Sequence, residues 1–206
     1  MTISPQAVQA VPAVQATVIQ LPTSAPVFND TWISNYDGKQ FPMKFARSFK
    51  LQDRSAWPKR NKAKGNYIIS LVPDDKLALF DSMPIINEYS IYTGQSDSCL
   101  YMRFYMFLDS LNQASSNYMN PKTTGRLSTT NRHAGALNFF DRVMAGPADV
   151  YYYAGSHDFA RVDGHTLMVR VANKQANWVN KTIEHERAMI TAANDTVKPK
   201  MWINKV

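Results

Sequence analysis

The chain has 206 residues, 45% apolar and 12% aromatic, enough to build a hydrophobic core and more than a disordered polymer carries. Its 23 Lys and Arg against 16 Asp and Glu leave a net charge of +7 and a sequence pI near 9.5, a balance that makes polyanions plausible partners. The lone Cys99 excludes an internal disulfide framework and a cysteine-rich zinc site, no signal-like basic start is present, and no run reaches the roughly 18 apolar residues of a membrane span. These features predict a soluble, cytoplasmic protein that makes no membrane contact.

Residues 1–27 contain neither a charged side chain nor a glycine. Built from Ala, Val, Gln, Pro, Thr and Ser, they predict an extended N-terminal arm that joins copies of the chain into a homo-oligomer. From Phe28 to Val206 the composition becomes that of a single globular domain.

Strands are expected over 41–50, 66–72, 85–92, 99–108 and 148–154, most of them rich in aromatic or β-branched residues. Between Lys44 and Lys64 stand eight basic residues, Lys44, Arg47, Lys50, Arg54, Lys59, Arg60, Lys62 and Lys64, against the single acid Asp53. This surplus equals the net charge of the whole chain. Phe41, Phe45, Phe49, Trp57 and Tyr67 are threaded through and around it, and Trp57 to Gly65 reads as a basic loop between two strands. Such a loop neutralises phosphates, while nearby rings add about 1–3 kcal/mol per stacked base. The competing reading is a solvated loop whose aromatics turn into the core.

Short helices are expected from Asp74 to Met83, after Pro73, and from Ala134 to Met144, before Gly146-Pro147. Residues 99–108, read as a strand, separate an apolar face of Leu100, Met102, Phe104, Met106 and Leu108 from a face carrying Tyr101, Arg103, Tyr105 and Phe107. Rings beside a guanidinium suit bases and phosphates, although a strand buried on both sides with Arg103 reaching a carboxylate accounts for the same letters. Residues 110–133 hold Lys122, Arg126, Arg132 and His133 without one acid, which predicts a long basic loop.

Asp163-Gly164 between 159–162 and 165–171 predicts a hairpin with a two-residue turn. Ser156, His157, Asp158, Asp163 and His165 flank it, a group that could hold a metal but reads more simply as polar turn chemistry. A long amphipathic helix is expected over 174–193, with Val179, Ile183 and Ile190 facing the core. A third basic cluster follows at Lys198, Lys200 and Lys205.

No phosphate-cradling glycine motif, nucleophile elbow or zinc-protease motif occurs, so neither an enzyme nor a bound cofactor or metal is expected. The fold class that emerges is α+β and strand-rich, compatible with an OB-like barrel or a sandwich carrying a long C-terminal amphipathic helix. The functional expectation is a non-enzymatic, sequence-tolerant binder of single-stranded nucleic acid. Its contacts would be Lys44, Arg47, Lys50, Arg54, Trp57, Lys59, Arg60, Lys62, Lys64, Tyr101, Arg103, Tyr105, Lys122 and Arg126. The alternative is a self-assembling viral coat subunit, located in a virion, with an N-terminal arm and a basic genome-facing surface.

Overall fold

The computed structural model describes residues 31–46, 48–58, 63–119, 133–145, 151–152, 161–162, 164–174, 182–199 and 202–204. A four-stranded antiparallel sheet organises them: β3 (Phe49–Lys50), β8 (His165–Asn173), β4 (Gly65–Pro73) and β5 (Ser90–Ser96), in that spatial order. Two smaller antiparallel sheets pair β1 (Thr31–Tyr36) with β2 (Lys39–Lys44) and β6 (Tyr151–Tyr152) with β7 (Arg161–Val162). Among the described residues, three α-helices, α1 (Leu100–Met119), α2 (Ala134–Ala145) and α3 (Thr182–Ala192), pack with these sheets. Mixed helix and strand agrees with the sequence, but the main sheet is open and no barrel closes among the described residues.

Strand β4 is buried from Gly65 to Val72, even at Asn66 and Ser70, because both faces of the sheet are covered, which is why its apolar residues do not alternate with exposed ones. Alternation decides only which layer each side chain joins. Tyr67, Ile69 and Leu71, with Val169 and Val171 of β8, pack against Leu100, Phe104, Phe107 and Leu111 of α1 and Ala136, Phe139 and Phe140 of α2. On the opposite face Ile68 and Ala172 join Met43 and Phe45 of the β1–β2 ribbon and Met189 of α3. Val72 and Met168 form a third group with Phe80.

Residues 99–108 are not a strand. Leu100, Phe104, Phe107, Leu108, Leu111 and Ala114 are all buried and recur at intervals of three and four, the stripe of a helix laid on a sheet. The helix continues through residue 119, so the first part of the expected 110–133 loop is helical, while 120–132 lie outside the described residues. The expected strand over 85–92 starts only at Ser90. Pro84 and Asn87 make a turn before it, with the Asn87 amide donating to the Pro84 carbonyl at 3.0 Å and its Oδ1 accepting from the Tyr89 N–H at 2.9 Å. The strand expected over 41–50 divides into β2 and β3.

An unexpected hairpin joins β1 to β2. Asp37 and Gly38, with φ of 51° and 67°, supply the two left-handed residues of its turn, and the ladder runs in register from Tyr36–Lys39 to Thr31–Lys44. Helix α3 lies within the expected 174–193 helix, whose residues 175–181 fall outside the described set, and continues as a π turn, Ala193–Val197. Its buried face is His185, Ala188 and Met189, whereas Ile183, expected in the core, is 39% exposed.

Arg170 of β8 is among the largest fully buried side chains. Its guanidinium lies 4.4 Å from the Phe80 ring centre and donates to the carbonyls of Phe80, Met83 at 3.1 Å and Pro84 at 2.7 Å. These carbonyls end the Asp74–Ser82 3-10 helix, found where the sequence predicts a short helix, so Arg170 ties that helix to the sheet.

Candidate nucleic-acid interface

The site is built where the Arg54–Ala56 turn meets the first two turns of α1. Asp53 caps that turn, its carboxylate accepting the Ser55 N–H at 3.1 Å and hydroxyl at 2.6 Å. The Ser55 hydroxyl hydrogen bond is the main reason its carboxyl is held below the ordinary range. This tight turn separates an exposed Arg54 from Trp57, three residues on. Arg54 faces solvent, while Trp57 enters the core at 6% exposure and its indole N–H donates to the Leu51 carbonyl at 2.9 Å.

Helical spacing then brings Tyr101 and Tyr105 to the same place, one turn apart on α1. Tyr101 packs edge-on against Trp57 at 5.1 Å between ring centres. The Arg54 guanidinium stands 5.5 Å from the centre of Tyr105 and 5.8 Å from that of Trp57, so one cation bridges a buried ring and one that is 39% exposed. Lys50 lies exposed three residues before Asp53 and its charge reaches that carboxylate.

The described residues that flank the basic segment 59–62 lie beside these rings: Trp57 and Pro58 before it and, after it, Ala63, whose carbonyl accepts the Leu100 N–H at 2.9 Å at the start of α1. Lys64 is exposed next to Ala63, and its carbonyl accepts the Lys174 N–H at 2.7 Å. Lys59, Arg60 and Lys62 lie outside the described residues, as do Arg47, Lys122 and Arg126.

Of the expected set, Arg54, Trp57, Tyr101 and Tyr105 are joined by ring and cation–ring contacts, Lys50 acts on the Asp53 that caps their turn, and Lys64 follows Ala63, which is bonded to the start of α1, with two exceptions and one change of role. Lys44 is exposed on the β1–β2 ribbon, whose core residues pack on the α3 face of the sheet, away from α1. Arg103 leaves the tyrosine face because two residues on a helix span about 200°. Trp57 is a buried support for the tyrosines rather than an exposed stacking ring.

Arg103 instead acts electrostatically on a polar cluster that the sequence did not reveal. The Tyr67 hydroxyl lies 3.2 Å from Nε2 of His133, whose Nδ1 accepts the Ala136 N–H at 3.4 Å and caps α2. The two share one hydrogen bond, whose direction is set by the His133 tautomer. The His133 N–H donates to the Ser110 hydroxyl at 2.9 Å, tying α2 to α1. Burial, reinforced by Arg103, lowers the His133 pKa to about 4; burial also raises Tyr92 to about 12 and Glu186 to about 7, Arg103 opposing the last two shifts. Gly94 and Gly135 leave room for the Tyr67 and Tyr92 rings, which a methyl group at either position would overlap.

No group of three or more potential metal ligands occurs among the described residues, and no helix among them is long and apolar enough to cross a membrane. His165 opens β8 opposite Pro73, while Ser156, His157, Asp158 and Asp163 lie outside the described residues. No protein-family model matches the chain, and neither the curated proteins nor the solved structures contain a match to it.

Proposed function

We propose that this chain is a non-enzymatic, sequence-tolerant binder of single-stranded nucleic acid. Arg54 poised against the exposed Tyr105 ring, beside the residues that flank the basic segment 59–62, is the observation that carries the reading. In it Tyr105 stacks on an unpaired base, with Tyr101 packed behind against Trp57, while Arg54, Lys50, Lys64 and the loop cations meet successive phosphates. A base paired in a duplex offers no free face to Tyr105, and the site presents no dense basic helix for a major groove, so single strands are preferred. The coat-subunit alternative rests on residues 1–27, which lie outside the described residues.

The test is titration of a fluorescent single-stranded oligonucleotide with the parent chain and with Tyr105→Ala. The variant is expected to fold normally and to bind several-fold to about a hundredfold more weakly, the equivalent of about 1–3 kcal/mol of stacking. Parent and variant binding equally tightly removes Tyr105 from the site, and a parent that binds no strand at low salt overturns the function.

A further inference from the structure

We propose that the outer edge of β5 is a strand-exchange site, filled in a dimer by residues Trp202–Asn204 of a second copy. An open sheet has two edges, and an uncovered edge strand invites pairing with another chain. In the described fold the β5 edge is covered by Trp202–Asn204. The Ile203 N–H donates to the Ile91 carbonyl at 2.9 Å. Asn204 imitates a further strand residue with its side chain, Oδ1 accepting the Thr93 N–H at 2.7 Å and Nδ2 donating to the Thr93 carbonyl at 2.9 Å.

The flanking side chains straddle the edge. Ile203 is buried in the core on the α1 side with Ile91, whereas Trp202 packs against the core on the α3 side with Ile68 and Met189. The site thus recognises an apolar pair followed by an amide, a demand more specific than backbone pairing alone. Each of these contacts is available without change to the same residues of another copy.

What favours the second copy is the hinge. Lys198 follows the π turn in the left-handed region, φ 49° and ψ 63°, with its N–H held by the Ala193 carbonyl at 2.7 Å. A lysine is strained there, and only a short link separates it from Trp202. A strained residue close to a segment that docks through its own few contacts is the condition under which opening the chain and exchanging that segment relieves strain at no loss of contacts.

The full chain is examined by sedimentation equilibrium over a wide range of concentration, alongside Lys198→Gly and with an excess of a synthetic peptide spanning residues 198–206. The parent is expected to be in reversible monomer–dimer equilibrium. Lys198→Gly, which removes the strain from the closed monomer, is expected to weaken dimerisation roughly tenfold. The peptide is expected to dissociate the dimer, and the same peptide with Asn204→Ala is expected to fail. A parent that stays monomeric throughout, or a dimer indifferent to both the glycine variant and the peptide, overturns the proposal. None of these readouts involves nucleic acid, so they stand apart from the proposed binding activity.

Discussion

Arg54 and Tyr105, 51 positions apart in the chain, meet as a guanidinium 5.5 Å from a ring centre. Neither side chain is buried, so the pair is held by the elements beneath it, the Asp53-capped turn and the Trp57–Tyr101 contact. If both residues grip one strand, their contributions are coupled. A double-mutant cycle of Arg54→Ala and Tyr105→Ala, read by oligonucleotide affinity, should give an interaction energy of about 0.5–1 kcal/mol. Strict additivity would mean that the two act on separate parts of the ligand, or that one does not act.

Trp57 supports this pair from below. Trp57→Phe keeps most of the packing on Tyr101 and Phe104 but leaves the Leu51 carbonyl without its indole donor. The expected cost is about 1–3 kcal/mol in chemical denaturation, with oligonucleotide affinity nearly unchanged at temperatures where the variant is folded. A large affinity loss in a fully folded Trp57→Phe protein would put the indole itself in contact with ligand.

Arg170 is a structural charge. Arg170→Met fills similar space but deprives the Phe80, Met83 and Pro84 carbonyls of their donors. The variant should lose at least about 2 kcal/mol of stability, and Arg170→Lys, which cannot serve three carbonyls in a fixed fork, should recover only part of it. Denaturant midpoints of the three proteins within error of one another would show that the clamp contributes nothing.

Two groups, the buried His133 and the half-buried Glu186, give stability opposite pH dependences. Glu186, raised from 4.5 to about 7 chiefly by burial, favours the folded state fully below about pH 4.5 and loses that contribution as pH rises through about 7. His133, lowered from 6.5 to about 4, contributes fully above about pH 6.5 and loses its contribution as pH falls through about 4. The slopes oppose each other in the interval between. Glu186→Gln should therefore gain stability over the parent as pH is raised from about 5 to about 8, measured by thermal melts across that range. A constant difference between the two melting curves at every pH would contradict the assignment.

How much of this was legible in the sequence depended on whether one pattern excluded another. Residues 99–108 are nearly all apolar or aromatic, so they satisfied the alternation of a strand as well as the period of a helix. Only the continuation through Leu111 and Ala114 separates the two, and it lies in a polar stretch that reads as loop. Tyr101 and Tyr105 share one face under either period, but only the helix makes them neighbours: four residues span about 13 Å along a strand and about 6 Å on a helix. Arg103 is compatible with the strand period alone, and the helix removes it from the tyrosines. The Asp37-Gly38 turn carried a clear signal in the same chemistry that flagged Asp163-Gly164. The Tyr67–His133 contact carried none, since 66 positions separate two residues that tertiary packing alone brings together.

The salt dependence of binding to a single-stranded oligonucleotide decides whether the cations of the site meet phosphates beside Tyr105. If Arg54, Lys50, Lys64 and the loop cations meet phosphates beside Tyr105, log K should fall linearly with log salt with a slope of about −0.7 per phosphate contact, for at least about three contacts. The slope should become shallower by about one contact in Arg54→Ala. Undetectable binding at low salt, or an affinity indifferent to salt and to Arg54, would contradict it.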